Sequence, residues 1–163
     1  MAHVSQNGST RPLEKLSVIM PVFNERGSLQ EIVERVLRSA VPLEMELVAV
    51  DDCSSDGSWE LLERLADNDP RIRVYRHSHN RGKGAAVRTA IQHISGDVAV
   101  IQDADLEYDP NDYLVLLEPV LRDGADAVFG SRFVGHPRRV LRFWHSLGES
   151  WCSMCLMDSA SRR

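Results

Sequence analysis

Val98-Ala99-Val100-Ile101-Gln102-Asp103-Ala104-Asp105 runs from a short apolar stretch into two carboxylates spaced two residues apart. A compact run rich in Val and Ile reads as a strand buried on both faces, and Asp103 and Asp105 then stand where it ends. Residues i and i+2 of an extended segment point the same way. Both carboxylates can therefore reach one Mg2+ or Mn2+, ions that take oxygen ligands and often share them with substrate phosphates. Alone, the triplet is also an ordinary polar loop cap, so its neighbours must decide.

Outward from this strand, short apolar runs alternate with amphipathic stretches. Strands are expected near Leu16 to Val22, Glu46 to Val50, Ile72 to Tyr75, Asp97 to Ile101 and Ala127 to Phe129. Helices are expected between them. Leu29, Ile32, Val33, Val36 and Leu37 recur at helical spacing within Ser28 to Ser39, and Leu61, Leu62 and Leu65 within Ser58 to Ala66. A third helix opens at Gly82-Lys83-Gly84 and continues to Ile94, and a fourth, Asp112 to Leu121, follows Pro110 and stops at Gly124. Such βα alternation calls for an α/β fold, a mostly parallel, doubly wound sheet in a three-layer α/β/α arrangement.

A chain of 163 residues, 43% of them apolar, suits one domain with a proper core. The net charge of −5, from 24 acidic against 19 basic residues, gives no electrostatic reason to expect a nucleic-acid partner. No stretch approaches the roughly 18 apolar residues of a membrane span, and Met1 to Thr10 lacks the apolar core of a signal peptide, so a cytoplasmic protein is expected. Cys53, Cys152 and Cys155 do not make a disulfide framework; incidental reduced thiols are the better reading, even for the Cys152-x-x-Cys155 pair.

In an open parallel sheet, ligands bind beyond the carboxyl ends of the strands. Here Asn24-Glu25, Asp51-Asp52, Asn80-Arg81-Gly82-Lys83-Gly84 and Asp103-Ala104-Asp105 with Glu107 follow the first four strands, while loops on the opposite edge, such as Val41-Pro42-Leu43, are ordinary. Asp52 can accept the ring N–H of a nucleobase, and Asn24 and Glu25 can bind base or ribose. The Gly82-Lys83-Gly84 turn would bring backbone N–H groups and one ammonium beside a phosphate at a helix N-terminus. No Ser or Thr follows the Lys, so it is not a Walker loop, and the missing third Gly, together with its place after a later strand, argues against a nicotinamide dehydrogenase.

Pro21-Val22-Phe23-Asn24-Glu25, Asp51-Asp52-Cys53-Ser54-Ser55-Asp56-Gly57-Ser58, Asn80 to Arg88, Asp103 to Pro110 and Gly130-Ser131-Arg132-Phe133 occur in this order. On these motifs the chain resembles glycosyltransferase family 2 from about Leu16 to Gly148, and within it the dolichol-phosphate and polyprenyl-phosphate mannosyl- or glucosyltransferases. The resemblance implies the GT-A nucleotide-diphospho-sugar transferase fold. It places Pro21, Phe23, Glu25, Asp52, Lys83 and Asp103 at the nucleotide, and Asp103, Asp105 and Glu107 around Mg2+ or Mn2+. Asp103, Asp105 and Arg132 would be the catalytic residues, with Arg132 facing the lipid phosphate and Arg138, Arg139, Arg142 and His145 nearby on the acceptor side.

The activity so implied is inverting, metal-dependent transfer of mannose or glucose from a donor of the GDP-mannose or UDP-glucose type to a polyprenyl or dolichyl phosphate, with the acceptor drawing the protein to the membrane surface. Residues 149–163 depart from the family pattern. The expected organisation is therefore a disordered segment 1–14, a catalytic domain 15–148 with an incomplete acceptor side that exposes Phe143, Trp144 and Leu147, and a weakly structured, divergent tail 149–163. The alternative is a shortened domain that binds nucleotide sugar without productive transfer.

Overall fold

The computed structural model describes residues 13–129 and 155–158. Arg132 and the rest of the Gly130 to Phe133 motif, the acceptor-side residues from Arg138 to Leu147, Cys152 and the segment 1–12 lie outside the described residues.

Parallel strands β1 (Lys15–Val22), β2 (Glu44–Asp51), β3 (Ile72–Arg76) and β4 (Val98–Ile101) alternate with helices α1 (Arg26–Arg38), α2 (Ser58–Asn68) and α3 (Lys83–Ile91). A 3-10 turn at Pro110–Asp112 leads into α4 (Tyr113–Asp123), then β5 (Ala127–Phe129) and β6 (Cys155–Asp158). The sheet order is β3-β2-β1-β4-β6-β5, with β6 antiparallel to both neighbours. The chain winds outward from β1 to β3 and then returns to β1's other side as β4. The β1/β4 boundary is thus the topological switch point, where a crevice opens beyond the strand ends.

The two faces of the sheet explain the three layers. Leu16, Val18, Met20 and Val22 of β1 pack with Leu29, Ile32, Val33 and Val36 of α1, Leu61 and Leu62 of α2, and Leu116, Leu117 and Val120 of α4. Ile19 points to the other side and joins Val48, Val50, Ala86 and Ala90, so α3 covers that face alone among the described helices. Small Ala side chains let α3 lie close to β1 and β2.

Several elements depart from the sequence-based expectation by a few residues, and the differences at α1, α3 and the tail bear most on the fold. Helix α1 begins two residues early because its first amides are capped from a distance, with Glu25 N–H donating to Ser58 Oγ (3.1 Å) and Arg26 N–H to Asp56 Oδ2 (3.0 Å). Helix α3 stops at Ile91 rather than Ile94. The tail, expected to be weakly structured, contributes β6: its Cys155–Asp158 backbone inserts between β4 and β5 and satisfies edges that would otherwise lack ladder partners. The ends of α3 and α4 match the turn chemistry, since Gly82 (φ 84°) and Gly124 (φ 66°) adopt the conformation that glycine tolerates best.

A buried polar node fixes β4 against β1. Glu46, 4% exposed, accepts from Ser17 Oγ (2.6 Å) and Ser95 Oγ (2.8 Å) and pairs with Lys15 Nζ (2.9 Å) and an Arg73 guanidinium nitrogen (2.6 Å). Gly96 N–H donates to Ser17 Oγ, and a Cβ at Gly96 would lie 2.5 Å from that oxygen and 2.8 Å from the Lys15 carbonyl, so the approach requires glycine. Burial alone would raise the Glu46 carboxyl, but hydrogen bonds from Ser17, the Ser95 amide and Lys15 outweigh it and hold the group down at about 2. At the other end of β4, the buried Gln102 donates through Nε2 to the carbonyls of Asp103 (3.1 Å) and Tyr108 (3.4 Å), and its Oε1 accepts from Tyr113 Oη (2.7 Å). Burial, with the Asp109 carboxylate, pushes the Tyr113 phenol far up, so it stays a donor.

The depressed Glu46 carboxyl stabilises the fold fully above its unfolded value of 4.5 and ceases to do so as pH falls toward 2. Glu46→Gln is expected to cost roughly 3 kcal/mol at neutral pH, with the gap to the parent protein closing in urea titrations repeated down to pH 2. Tyr113→Phe leaves Gln102 Oε1 without its donor in the core and should cost about 1 to 3 kcal/mol by the same titration.

Candidate functional site

The switch point holds a cleft of about 290 Å³. Pro21, Val22, Phe23 and Glu25 line it from the end of β1, Asp52 from β2, Asn80, Gly82, Lys83 and Ala86 from the β3–α3 connection, and Asp103, Ala104 and Asp105 from β4. Of the residues singled out in the sequence, Pro21, Phe23, Glu25, Asp52, Lys83, Asp103 and Asp105 meet here. Glu107 does not: it is exposed, beyond a turn in which its N–H donates to Asp105 Oδ1 (3.0 Å).

Each wall is held by bonds from elsewhere in the chain. Asn24 N–H donates to Ser54 Oγ and Asn24 Oδ1 accepts from Ser55 N–H, both at 2.9 Å, which ties the β1 and β2 loops together. Asn24 (φ 56°) and Cys53 (φ 65°) both sit in the left-handed region, a strain of order 1 kcal/mol for a residue such as Cys. Ser28 Oγ, on the first turn of α1, donates to the Ala104 carbonyl (2.9 Å) and so fastens the acidic loop to the β1 side. Between the two carboxylates, Ala104 is buried in the larger core cluster, which anchors the turn that carries them.

Asp52, 2% exposed, organises the opposite wall. Its Oδ1 accepts from His77 Nδ1 (2.6 Å) and Arg81 N–H (2.9 Å), and its Oδ2 from Gly82 N–H (2.7 Å). Burial opposes ionisation, but these bonds from His77 and the Arg81 and Gly82 amides outweigh it and keep the carboxyl below its usual range. His77 is itself buried, with Nε2 2.8 Å from Thr89 Oγ1 on α3. Pattern reading overlooked His77, Thr89, Ser28 and Gln102. A polar Gln closing an apolar run, and a His directly after a strand, were the available signals.

Across the cleft, Lys83 Nζ pairs with Asp103 Oδ1 at 2.6 Å, joining the N-terminus of α3 to the acidic loop. Among the described residues no three His, Cys, Asp or Glu side chains converge as a ready-made metal cage, so the expected trio of Asp103, Asp105 and Glu107 is not assembled. The donor set still suits a hard divalent cation, because two carboxylates lining one cleft leave coordination positions for phosphate oxygens and water, as Mg2+ and Mn2+ prefer. A second, more open depression of about 500 Å³, bordered by Arg26, Arg64 and Arg76, does not include the strand-end acids of β4. Its arginines are already engaged, Arg76 with Asp51 (3.2 Å) and Arg26 with the Asp56 carbonyl (3.3 Å).

The sequence profile of Glycosyl transferase family 2 matches residues 17–158, which includes β6. A dolichol-phosphate mannosyltransferase of Pyrococcus furiosus is 38% identical over 120 residues, 74% of this chain and 34% of that protein. An undecaprenyl-phosphate 4-deoxy-4-formamido-L-arabinose transferase of Yersinia pestis is 35% identical over 120 residues, 72% of this chain and 36% of the relative. The chain thus spans about a third of the length of these curated relatives. Among solved structures, the mannosyltransferase PcManGT of Pyrobaculum calidifontis, in complex with GDP-Man and Mn2+, superimposes with a TM-score of 0.67 at 23% identity, covering 91% of this chain and 45% of that one. Staphylococcus aureus TarS 1-349 in complex with UDP-GlcNAc gives 0.62 at 24% identity, covering 76% and 37%. Both share the GT-A fold found here. With its five-motif order, its switch-point cleft and these relatives, the chain belongs to glycosyltransferase family 2.

Proposed function

We propose that this chain binds a nucleotide-diphospho-sugar at the β1/β4 cleft and transfers its hexose, mannose or glucose, to a polyprenyl or dolichyl phosphate with inversion at the anomeric carbon. The observation that carries the reading is the convergence of Asp52, Lys83, Asp103 and Asp105 on one cleft from three separate strand ends. The named activities of the Pyrococcus and Yersinia relatives, on dolichol and undecaprenyl phosphates, support the acceptor class.

In this reading Asp52 accepts the base N–H, Pro21 and the 48% exposed Phe23 offer apolar surface to the base, and Glu25 accepts a ribose hydroxyl. Lys83 and the first amides of α3 face the diphosphate, a helix N-terminus suited to anions. Asp103 and Asp105 would hold Mg2+ or Mn2+, which when bound neutralises charge growing on the departing diphosphate. Lys83, released from Asp103, adds its own charge to that leaving group. A polyprenyl phosphate is already anionic near neutral pH, so back-face attack needs orientation, assigned to Arg132, rather than a general base. The catalytic domain is taken to begin near residue 15 and to include β6, which sits within its sheet and its family match, rather than to end at 148; it would work at the cytoplasmic membrane face where the lipid resides. No helix among the described residues is long and apolar enough to cross a membrane.

Incubation with Mn2+, labelled nucleotide sugar and a short polyprenyl phosphate should give a lipid-linked sugar. Donor binding without any such product would favour the binding-only alternative. Asp103→Ala and Asp105→Ala should each lose the Mn2+-dependent part of donor affinity by calorimetry and keep the parent melting temperature. In metal-free buffer Asp103→Ala should bind nucleoside diphosphate no more weakly than the parent, because Lys83 is freed. Undiminished Mn2+ dependence in both variants would remove the metal assignment.

A further inference from the structure

The bonds around Asp52 count for more than rigidity, because they limit what the carboxylate can still accept. An ionised carboxylate has about four acceptor positions, two per oxygen. Oδ1 uses both of its positions, on His77 Nδ1 and the Arg81 amide, while Oδ2 uses one on the Gly82 amide. One position remains, on Oδ2.

The arrangement is locked on each side. A carboxylate only accepts, so His77 Nδ1 carries the proton between them, whatever the state of Nε2. The ring cannot swing away without giving up Thr89 Oγ1 at Nε2, and its own backbone N–H donates to the Asp51 carbonyl (2.9 Å). Arg81 and Gly82 cannot leave without unwinding the turn that opens α3, where Gly82 holds φ 84°.

We propose that the cleft selects a uridine over a guanosine nucleotide, because His77 and the 81–82 amides leave Asp52 only one open acceptor position. Uracil presents a single ring N–H between two carbonyls, and one acceptor satisfies it. Guanine presents a ring N–H beside an exocyclic amino group, a pair that needs both oxygens of a carboxylate. With Oδ1 filled, one of those donors enters the cleft unpaired, and leaving a desolvated donor unmatched is how a polar site rejects the wrong ligand. His77 acts here as a specificity-determining residue through Asp52, without touching the base. The inference rests on the reading that Asp52 meets the base.

Calorimetry on the full chain with UDP, GDP and N3-methyl-UDP, at one Mn2+ concentration, separates the two. The expected result is UDP binding roughly tenfold or more tightly than GDP, with N3-methylation abolishing that advantage. If N3-methylation weakens UDP but GDP binds as tightly as UDP, the selectivity inference is overturned while the Asp52–base reading stands. If N3-methyl-UDP binds as well as UDP, the base lies elsewhere and both fail. His77→Phe keeps the ring and removes the donor, so the UDP-to-GDP ratio should fall toward one. A ratio unchanged in a folded His77→Phe protein would remove His77 from the selection.

Discussion

The pairing of β4 alongside β1 is the constraint on which the molecule depends. It closes the larger core cluster, fixes the switch point, and lays the Asp103–Asp105 loop beside Phe23 and Glu25, through the pairing of Leu16 to Ile19 with Val98 to Ile101. A register slip of one residue would turn every β4 side chain to the opposite face. The slip is prevented at the far end of the strand, where Glu46, Ser17 and Gly96 form the buried polar node and Asp97 Oδ2 accepts from the Glu14 and Lys15 amides. The rim that meets ligand is thus set by hydrogen bonds on the opposite rim.

The cleft itself is prepared electrostatically before anything binds. Asp52 is held ionised by donors from the β3–α3 connection, Asp103 is paired with Lys83, and the loops that present them are cross-tied through Ser28, Ser54 and Gln102. Such a site does little reorganising when charge shifts during reaction, which is where preorganised dipoles lower a barrier most. In the proposed function, the Lys83–Asp103 pair is the contact that would change partners, the ammonium toward phosphate and the carboxylate toward a cation.

The α/β layering was legible because Val- and Ile-rich runs and helical spacing of Leu29, Ile32, Val33 and Val36 carry their own period, and Gly82 and Gly124 mark turns by backbone preference alone. Placement of Asp52, Lys83, Asp103 and Asp105 on one edge followed from strand order. What pattern could not supply depends on contacts distant in sequence. Ser58 and Asp56 capping α1, Glu46 gathering Ser17, Arg73 and Ser95, and His77 reaching Asp52 leave no local signature. Strand β6 was hidden for the same reason, since Cys155 to Asp158 is too short to show a period and owes its form to the β4 and β5 edges. The family resemblance put Glu107 beside Asp103 and Asp105 at the cation, whereas here it is exposed, past a turn closed by its N–H on Asp105.

The most direct test of this account is paramagnetic broadening of backbone amide signals by Mn2+ added to the 15N-labelled chain with saturating nucleoside diphosphate. The account requires broadening centred on residues 103–105 and spreading to Glu25 and Lys83, with Arg26, Arg64 and the α2 face less affected. Broadening centred on the Arg64 and Asp56 side, or none near residues 103–105, would contradict it.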